Sequence, residues 1–388
     1  MVVYWATKLR GFLRHMSQHM EDVSFVDKGQ YYEVAGLRSK LASKLIRSHL
    51  LDPAGLFQIL KVSGKDCDCY GSFNRFLQTD KPYFIYLENP TALYHYTLGR
   101  IRFPAGRKRF AKCLNDPNLK CIICMADACR DTFSRVNMPV PEHVKMVTIY
   151  PFVPRNPYAS PEQIREISKN ETLECLFCAQ GRRFLTKGGL DVLEAFRNLR
   201  AKGCNIHLRV ITKLAELDKK TLAKLTSCEG VTVHDFTFRY EELEEIYAKT
   251  NVLIHPSSDD SVGLTILEAM KGGCTIVGSD LYGFTEMVED GGNGMLLEPK
   301  FRIFTKEHLP NPKCWKRWKK LLYARRKDPA FVKRIEKAVE SVYRDREKLC
   351  AYSLRSLELA DTKFGEDAIC KQWKDVWNTL EGYGADET

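Results

Sequence analysis

The sequence has no apolar run near the roughly 18 residues that span a bilayer, which leaves no candidate for a membrane-crossing helix. Its opening stretch, MVVYWATKLRGFLRHM, has too short an apolar segment ahead of its charges for a signal peptide, so a cytosolic protein is expected. Acidic residues are in deficit: 49 Asp+Glu stand against 60 Lys+Arg, a net charge of +11. The surplus favours anionic partners, phosphates or an acidic membrane surface. No helix-turn-helix, RNA-binding-sheet or zinc-finger pattern supports nucleic acid in that role. Cysteine is plentiful, at fourteen residues, but usable metal spacing is not. Cys121-x2-Cys124 and Cys175-x2-Cys178 fall inside the apolar runs LKCIICMA and TLECLFCA, which read as strands. Residues three apart on a strand face opposite ways and cannot share one ion, so no metal site is expected. The thiols should be buried and reduced.

What is present is a chain of 388 residues, 44% hydrophobic and 28% charged. That is more than one compact core usually supports, so two domains are expected. Strand-like runs at Val2-Trp5, Phe57-Val62, Tyr83-Leu87, Cys121-Met125 and Met146-Tyr150 alternate with helical stretches, the pattern of an α/β layer with a parallel sheet. Proline-rich PFVPRNPYASP, Pro151 to Pro161, marks a linker. The expected division is residues 1–155, residues 156–365, and a closing helix and tail over 366–388.

The most legible stretch is LIHPSSDDSVGLTILEAMKGGCTIVGSDLYGFTEMVEDGGNGMLLE. A β-branched strand ends in His255-Pro256, a polar turn follows, and Gly263 opens an apolar helix that Gly272-Gly273 stop. A second buried strand and a glycine-rich loop complete a strand–turn–helix–strand unit. The turn sets Asp259 and Asp260 just before a helix start, where free N–H groups and the dipole favour an anion. Upstream, strand Thr172-Cys178 runs into Gly181-Arg182-Arg183-Phe184-Leu185-Thr186-Lys187-Gly188-Gly189 and a helix with Leu190, Leu193, Phe196 and Leu199 on one stripe. A tight turn, cations and a helix start suit a diphosphate, since Arg binds oxygens bidentately and Lys supplies a point charge.

These residues resemble a family. Asp260-x7-Glu268, Ala-Met-x-Gly-Gly, Ser279-Asp280, Gly283-x-x-Glu286 and Gly291-x-Asn293-Gly294 are similar to family-4 retaining glycosyltransferases of the GT-B fold. The family most often has Glu where Asp260 stands, and usually a Gly-Gly loop after the first strand, which is missing here. The resemblance implies two Rossmann-like doubly wound domains facing a central cleft, with a C-terminal helix crossing back to the first. It implies that Arg182 and Lys187 contact the donor diphosphate, that Gly181, Gly263, Leu264 and Thr265 help bind the donor, and that Glu268 holds ribose hydroxyls. Asp260 would hold the transferred sugar. Gly263 is expected because a side chain would crowd the sugar phosphate. The segment after Val233, with His234 and Phe236, corresponds to the base-recognition loop.

Elsewhere, Glu88 ends the strand Tyr83-Leu87, where many relatives have a donor-contacting histidine, and is an acceptor-side candidate beside the reading of a solvated loop carboxylate. His95 reads as an ordinary helix histidine. The basic run Arg100 to Lys112, interleaved with Phe103 and Phe110, could rest on an anionic membrane or be a solvated loop and helix start. Trp315, Trp318 and Leu322 share a face ringed by cations including Arg325 and Arg326, which reads as packed core rather than a membrane helix.

The expected activity is retaining transfer of a sugar from a UDP- or GDP-sugar to an acceptor hydroxyl of a polysaccharide, glycolipid or other glycan. It would be metal-independent, since the sequence is read as showing no Asp-x-Asp metal motif of the kind that metal-dependent transferases of the other main fold use, and would use no cofactor, with attachment to the inner membrane face as a further possibility. Two alternatives stay open: a non-catalytic nucleotide-sugar-binding subunit, and a nucleotide-sugar epimerase of the same fold.

Overall fold

The computed structural model describes residues 1–27, 48–325 and 327–385; Arg326 of the basic stripe and residues 386–388 of the expected tail lie outside the described residues. The chain divides into two compact units, Met1–Phe152 with Glu307–Pro310 and Glu366–Thr388, and Val153–Lys306 with Asn311–Gly365.

The first unit is built on a parallel sheet of β1 (Val2–Trp5), β2 (Ser24–Asp27), β4 (Cys69–Phe73), β6 (Tyr83–Leu87), β7 (Leu119–Cys124) and β8 (Lys145–Thr148), in the order β2-β1-β4-β6-β7-β8. The central strands are nearly unbroken apolar runs, as a sheet covered on both faces requires, and every residue of β6 is buried. The expected strand at Phe57-Val62 shortens to β3 (Ile59–Lys61) and leaves the main sheet, pairing instead with β5 (Phe76–Gln78) in a two-stranded ribbon. Strand β4, CYGSF, gave little sequence signal because its glycine lowers strand propensity. Gly71 is needed there: a Cβ would run into the rings of Trp5 and Phe84.

The helix Glu366–Ala385 closes this unit. Trp373 and Trp377 stack at 4.9 Å, and Trp373 meets Phe84 and Tyr86 edge-on at 5.9 and 5.3 Å. Trp377 packs edge-on against Phe25 and Phe84. Both indoles are buried, Trp373 against β6 and Trp377 against β2 and β6, and add to this unit's apolar core.

Two expectations in the first unit need correction. His95 is not an ordinary helix residue. It caps the 3-10 turn Pro90–Tyr94 at φ 60, is buried, and its Nε2 accepts the Gln58 N–H at 3.0 Å. The basic run is only partly a solvated face. Arg100 is fully buried with its Nε 3.4 Å from Asp52 Oδ1, Arg109 lies over the Phe57 ring and donates to the Phe57 carbonyl, and Phe110 is core. Arg102, Phe103, Arg107, Lys108 and Lys112 remain exposed.

The second unit has a parallel sheet of β9 (Leu173–Ala179), β10 (Ile206–Thr212), β11 (Val231–His234), β12 (Val252–His255), β13 (Thr275–Ser279) and β14 (Gly294–Leu297). Its spatial order is β11-β10-β9-β12-β13-β14, all parallel. Counted within the unit, that is 3-2-1-4-5-6, so the winding reverses between β9 and β12. Ligands of doubly wound sheets bind beyond the carboxyl ends of the strands flanking such a reversal. The helix Gly189–Ala201 buries Val192, Leu193, Phe196 and Leu199 in a core shared with Phe331, Ile335 and Val339 of the helix Pro329–Arg344. Trp315 belongs to this unit's packing: it is buried, its indole N–H donates to the Ile303 carbonyl at 2.8 Å, and Phe304 meets it edge-on. Leu322 is buried as well.

Candidate functional site

The two loops beyond β9 and β12 meet. After β9 come a single 3-10 turn, Gly181–Arg183, and Phe184 to Gly188; after β12 comes Pro256 to Gly263. Ser258 donates its N–H to the Thr186 carbonyl at 3.1 Å, pinning one loop on the other. Gly188, at φ 82, lets them close: a Cβ there would stand 3.1 Å from the Pro256 carbonyl. The glycine the sequence offers as a helix start therefore also serves a loop contact.

Four charged side chains converge where the loops touch. Lys187 Nζ donates to Asp260 Oδ2. His255, the last residue of β12 and buried, places Nε2 3.0 Å from the same oxygen. Arg183 Nη2 lies 2.8 Å from both the carbonyl and the Oδ2 of Asp259 and 3.8 Å from Asp260 Oδ1. Ser257 Oγ donates to Asp259 Oδ1 at 3.4 Å. Two carboxylates thus sit among two cations and a histidine, with Asp259 almost completely enclosed.

Burial opposes the charge on Asp260, but Lys187, His255 and Arg183 outweigh it and hold the carboxyl well below its ordinary range. Burial pushes the His255 imidazole down, against the hydrogen bond with Asp260. The neutral ring then donates Nε2–H to Asp260, and Nδ1 has no partner. Burial opposes the Arg183 charge too, and Asp259 and Asp260 more than restore it, so its guanidinium stays charged.

Among the residues singled out from sequence, Lys187 and Asp260 are brought into direct contact. Arg182 is exposed; its guanidinium reaches Gln180 Oε1 at 3.4 Å and its backbone N–H donates to Glu216. Arg183, next in the chain, is the arginine that joins the carboxylates. Gly181 is buried, with the Lys213 carbonyl where a Cβ would point. Gly263 caps the helix Leu264–Lys271 at φ 79, and a Cβ there would overlap the Phe284 ring. Backbone conformation and Phe284 by themselves account for that glycine, without the crowded sugar phosphate expected for it. Leu264 and Thr265 form the first turn of this helix.

Glu268 lies one turn further along the same helix. It accepts the Tyr247 hydroxyl at 2.9 Å and lines a small recess with Asn156, Tyr240 and Lys271. Burial raises its carboxyl, only partly offset by Tyr247. His234 is half-buried against Phe238, while Phe236 is exposed.

In the first unit, Glu88 follows β6 directly. Asn74 Oδ1 accepts its N–H at 3.0 Å and its carboxylate accepts the Tyr96 hydroxyl. His95 and Tyr96 are successive non-glycine residues at φ 60, a costly conformation that aims Tyr96 at Glu88. The expectation that the sequence shows no Asp-x-Asp needs correction, because one occurs in this unit at Asp66-Cys67-Asp68; Asp68 Oδ2 accepts the Val2 N–H at 2.6 Å. No group of three or more potential metal ligands occurs among the described residues.

Sequence reasoning singled out neither His255 nor Tyr247. The signal for His255 was its place as the last residue of a buried strand at the winding reversal; Tyr247 had none, because it reaches Glu268 from a helix twenty-one residues upstream.

A parallel doubly wound sheet in each unit is the architecture of the GT-B fold, and structural likeness bears this out. HepE of Anabaena, solved in complex with UDP and glucose, superposes with a TM-score of 0.60 at 14% identity over 97% of this chain and 99% of that one. WaaG, a glycosyltransferase involved in lipopolysaccharide biosynthesis, gives 0.58 at 14% identity with the same coverage. Residues 160–306 match the family model described as glycosyl transferases group 1. A D-inositol 3-phosphate glycosyltransferase of Arthrobacter sp. (strain FB24) is 27% identical over 123 residues, 30% of this chain and 29% of that protein. The GtfA subunit of a UDP-N-acetylglucosamine–peptide N-acetylglucosaminyltransferase of Streptococcus pneumoniae is 37% identical over 59 residues, 15% of this chain and 12% of that one. The chain thus spans under a third of the length of either relative.

Proposed function

We propose that the protein is a glycosyltransferase that moves a sugar from a nucleotide-diphosphate sugar to an acceptor hydroxyl, with retention at the anomeric carbon and without a metal. The observation that carries this reading is the meeting of Lys187, Arg183, His255 and Asp260 where the sheet of the second unit reverses its winding. The group 1 match covers this stretch. UDP in the HepE complexes puts uridine donors first among those to try.

In the proposed course, the anomeric C–O bond breaks and its electron pair moves to the bridging diphosphate oxygen. Preorganised positive groups aimed at a developing anion are the main catalytic resource for such a step. Lys187 keeps two N–H donors beyond the one on Asp260, Arg182 extends from the turn after β9, and the helix at Gly263-Leu264-Thr265 offers free amides. Asp260 Oδ1, beyond hydrogen-bond length from Arg183, takes a hydroxyl of the sugar. The acceptor oxygen bonds to the anomeric carbon on the face the leaving group vacates, and its proton passes to the departing phosphate. Glu268 takes the ribose hydroxyls and Glu88 faces the acceptor side.

Thermal-shift titration with UDP, GDP and their sugars, followed by product analysis, tests the reading. One donor class should stabilise the protein and release its nucleoside diphosphate; stabilisation without release, or no stabilisation, would leave the transferase reading without support.

A further inference from the structure

The first sheet has a winding reversal of its own. Counted within the unit, the order β2-β1-β4-β6-β7-β8 reads 2-1-3-4-5-6, so the chain turns back between β1 and β4. Ligands of doubly wound sheets bind beyond the carboxyl ends of the strands at such a point. The two loops leaving those ends are tied together. The Phe73 N–H donates to Thr7 Oγ1 at 2.9 Å, and the Arg10 guanidinium lies 4.8 Å from the centre of the Phe73 ring.

An unbroken series of contacts leads from there to the end of β6. Asn74 follows Phe73, and its Oδ1 accepts the Glu88 N–H at 3.0 Å. Arg75 comes next, with Nη1 donating to the Asn74 and Ala92 carbonyls at 2.6 and 2.9 Å, which fixes its guanidinium. The Glu88 carboxylate accepts the Tyr96 hydroxyl. Burial and Glu88 push that hydroxyl well above its ordinary 10, while Arg75 and Arg10 pull the other way, so both cations act where Tyr96 meets Glu88. Arg10 and Tyr96 are exposed and Arg75 and Glu88 half-buried, so the group opens to solvent. Among the described residues, five non-glycine residues have a left-handed backbone, and three of them, Asn74, His95 and Tyr96, stand here. Such strain persists where the surrounding structure enforces it, and it clusters at ligand sites.

We propose that this edge of the first sheet is the acceptor subsite and that the acceptor is an acidic sugar, a hydroxyl-bearing ring carrying a carboxylate or phosphate. Arg10 and Arg75 take the anion, and Glu88, steadied by Tyr96, accepts the hydrogen bond of a ring hydroxyl. Arginine forks match the oxygens of either anion. A carboxylate that receives one hydroxyl has acceptor sites left for another. Two guanidinium groups beside one carboxylate leave the subsite net positive, so a neutral sugar engages only half of it. The word acceptor rests on the transfer reading above; the binding does not.

Calorimetric titration of the full chain with glucuronate, glucose 6-phosphate, glucose and inorganic phosphate tests it, at about 0.15 M salt, where long-range attraction of anions is screened. The better of the two acidic sugars should bind about tenfold more tightly than glucose or inorganic phosphate, and it names the anion. Arg10→Gln, at an exposed position, should bring that preference over glucose to within about twofold while keeping the melting temperature. Arg10→Lys should restore part of it. Glu88→Gln should weaken all three sugars alike, which separates the hydroxyl contact from the charge contact. Equal binding of glucose, equal binding of inorganic phosphate, or an undiminished preference in Arg10→Gln would each overturn the proposal. Failure to release a nucleoside diphosphate from any donor would defeat the transfer reading while leaving this binding pattern in place.

Discussion

His255 Nε2 stands 3.0 Å from Asp260 Oδ2, the same oxygen to which Lys187 donates. One carboxylate therefore orients both a neutral ring and a cation. Lys187→Ala should lower turnover roughly 10²–10³-fold if the lysine meets the leaving diphosphate, as removal of a transition-state donor does elsewhere. Single-turnover assay beside nucleoside-diphosphate titration reads this; turnover at the wild-type rate removes Lys187 from the chemistry.

The buried imidazole makes stability depend on pH. Its folded value lies below the ordinary 6.5, so below that pH the unfolded chain binds the extra proton. Stability should be full above about pH 6.5 and fall as pH drops toward the depressed folded value. Asp260, also depressed, adds loss only below its ordinary 3.8, as pH falls toward its own folded value. His255→Gln should therefore flatten the melting-temperature profile between pH 6.5 and 5 and leave the acid limb in place. An unchanged profile would place the titrating group elsewhere.

Glu268 separates stability from binding. Burial penalises its charge, so Glu268→Gln, which can still accept the Tyr247 hydroxyl, should melt no lower than the wild type. Donor affinity should fall by about 1.5–3 kcal/mol if the carboxylate makes charged hydrogen bonds. Tyr247→Phe leaves the acid unpartnered and should cost about 1–3 kcal/mol of stability. Calorimetry and donor titration on the two variants decide it; a large stability loss in Glu268→Gln would contradict this account.

Gly263→Ala puts a Cβ on a residue at φ 79 and into Phe284. Denaturant melts should show a loss on the order of 1–3 kcal/mol with no ligand present. An unaffected free protein with impaired donor binding would instead restore ligand crowding as the reason for the glycine.

The second unit was the more legible in sequence because local rules agree there. Strands β9 to β13 are apolar runs bounded by glycine and polar turns, and Asp260 and Glu268 lie in one continuous stretch. What escaped depended on distance along the chain. Arg183 and Arg182 are equivalent by composition, and only the 3-10 turn Gly181–Arg183 decides which one reaches Asp259. In the first unit, β4 hid behind a glycine that exists to admit Trp5, and β3 was a real strand placed in the wrong sheet. His95 looked like a helix residue because nothing local announces a left-handed histidine.

The pair Trp373 and Trp377 invites a direct check: Trp373→Ala should cost about 3–5 kcal/mol, read by urea denaturation. A loss under 1 kcal/mol would mean the first sheet stands without that helix.

Because the strands that Trp373 and Trp377 cover emerge from the ribosome long before either indole exists, Phe25, Phe84 and Tyr86 lack that cover until the helix Glu366–Ala385 is made. The nascent chain carries a sticky half-finished sheet while everything between is being made. Chaperone demand should accordingly last until Trp377 has emerged, and a reporter cut out at Phe152 would be the wrong vehicle for studying the first unit by itself.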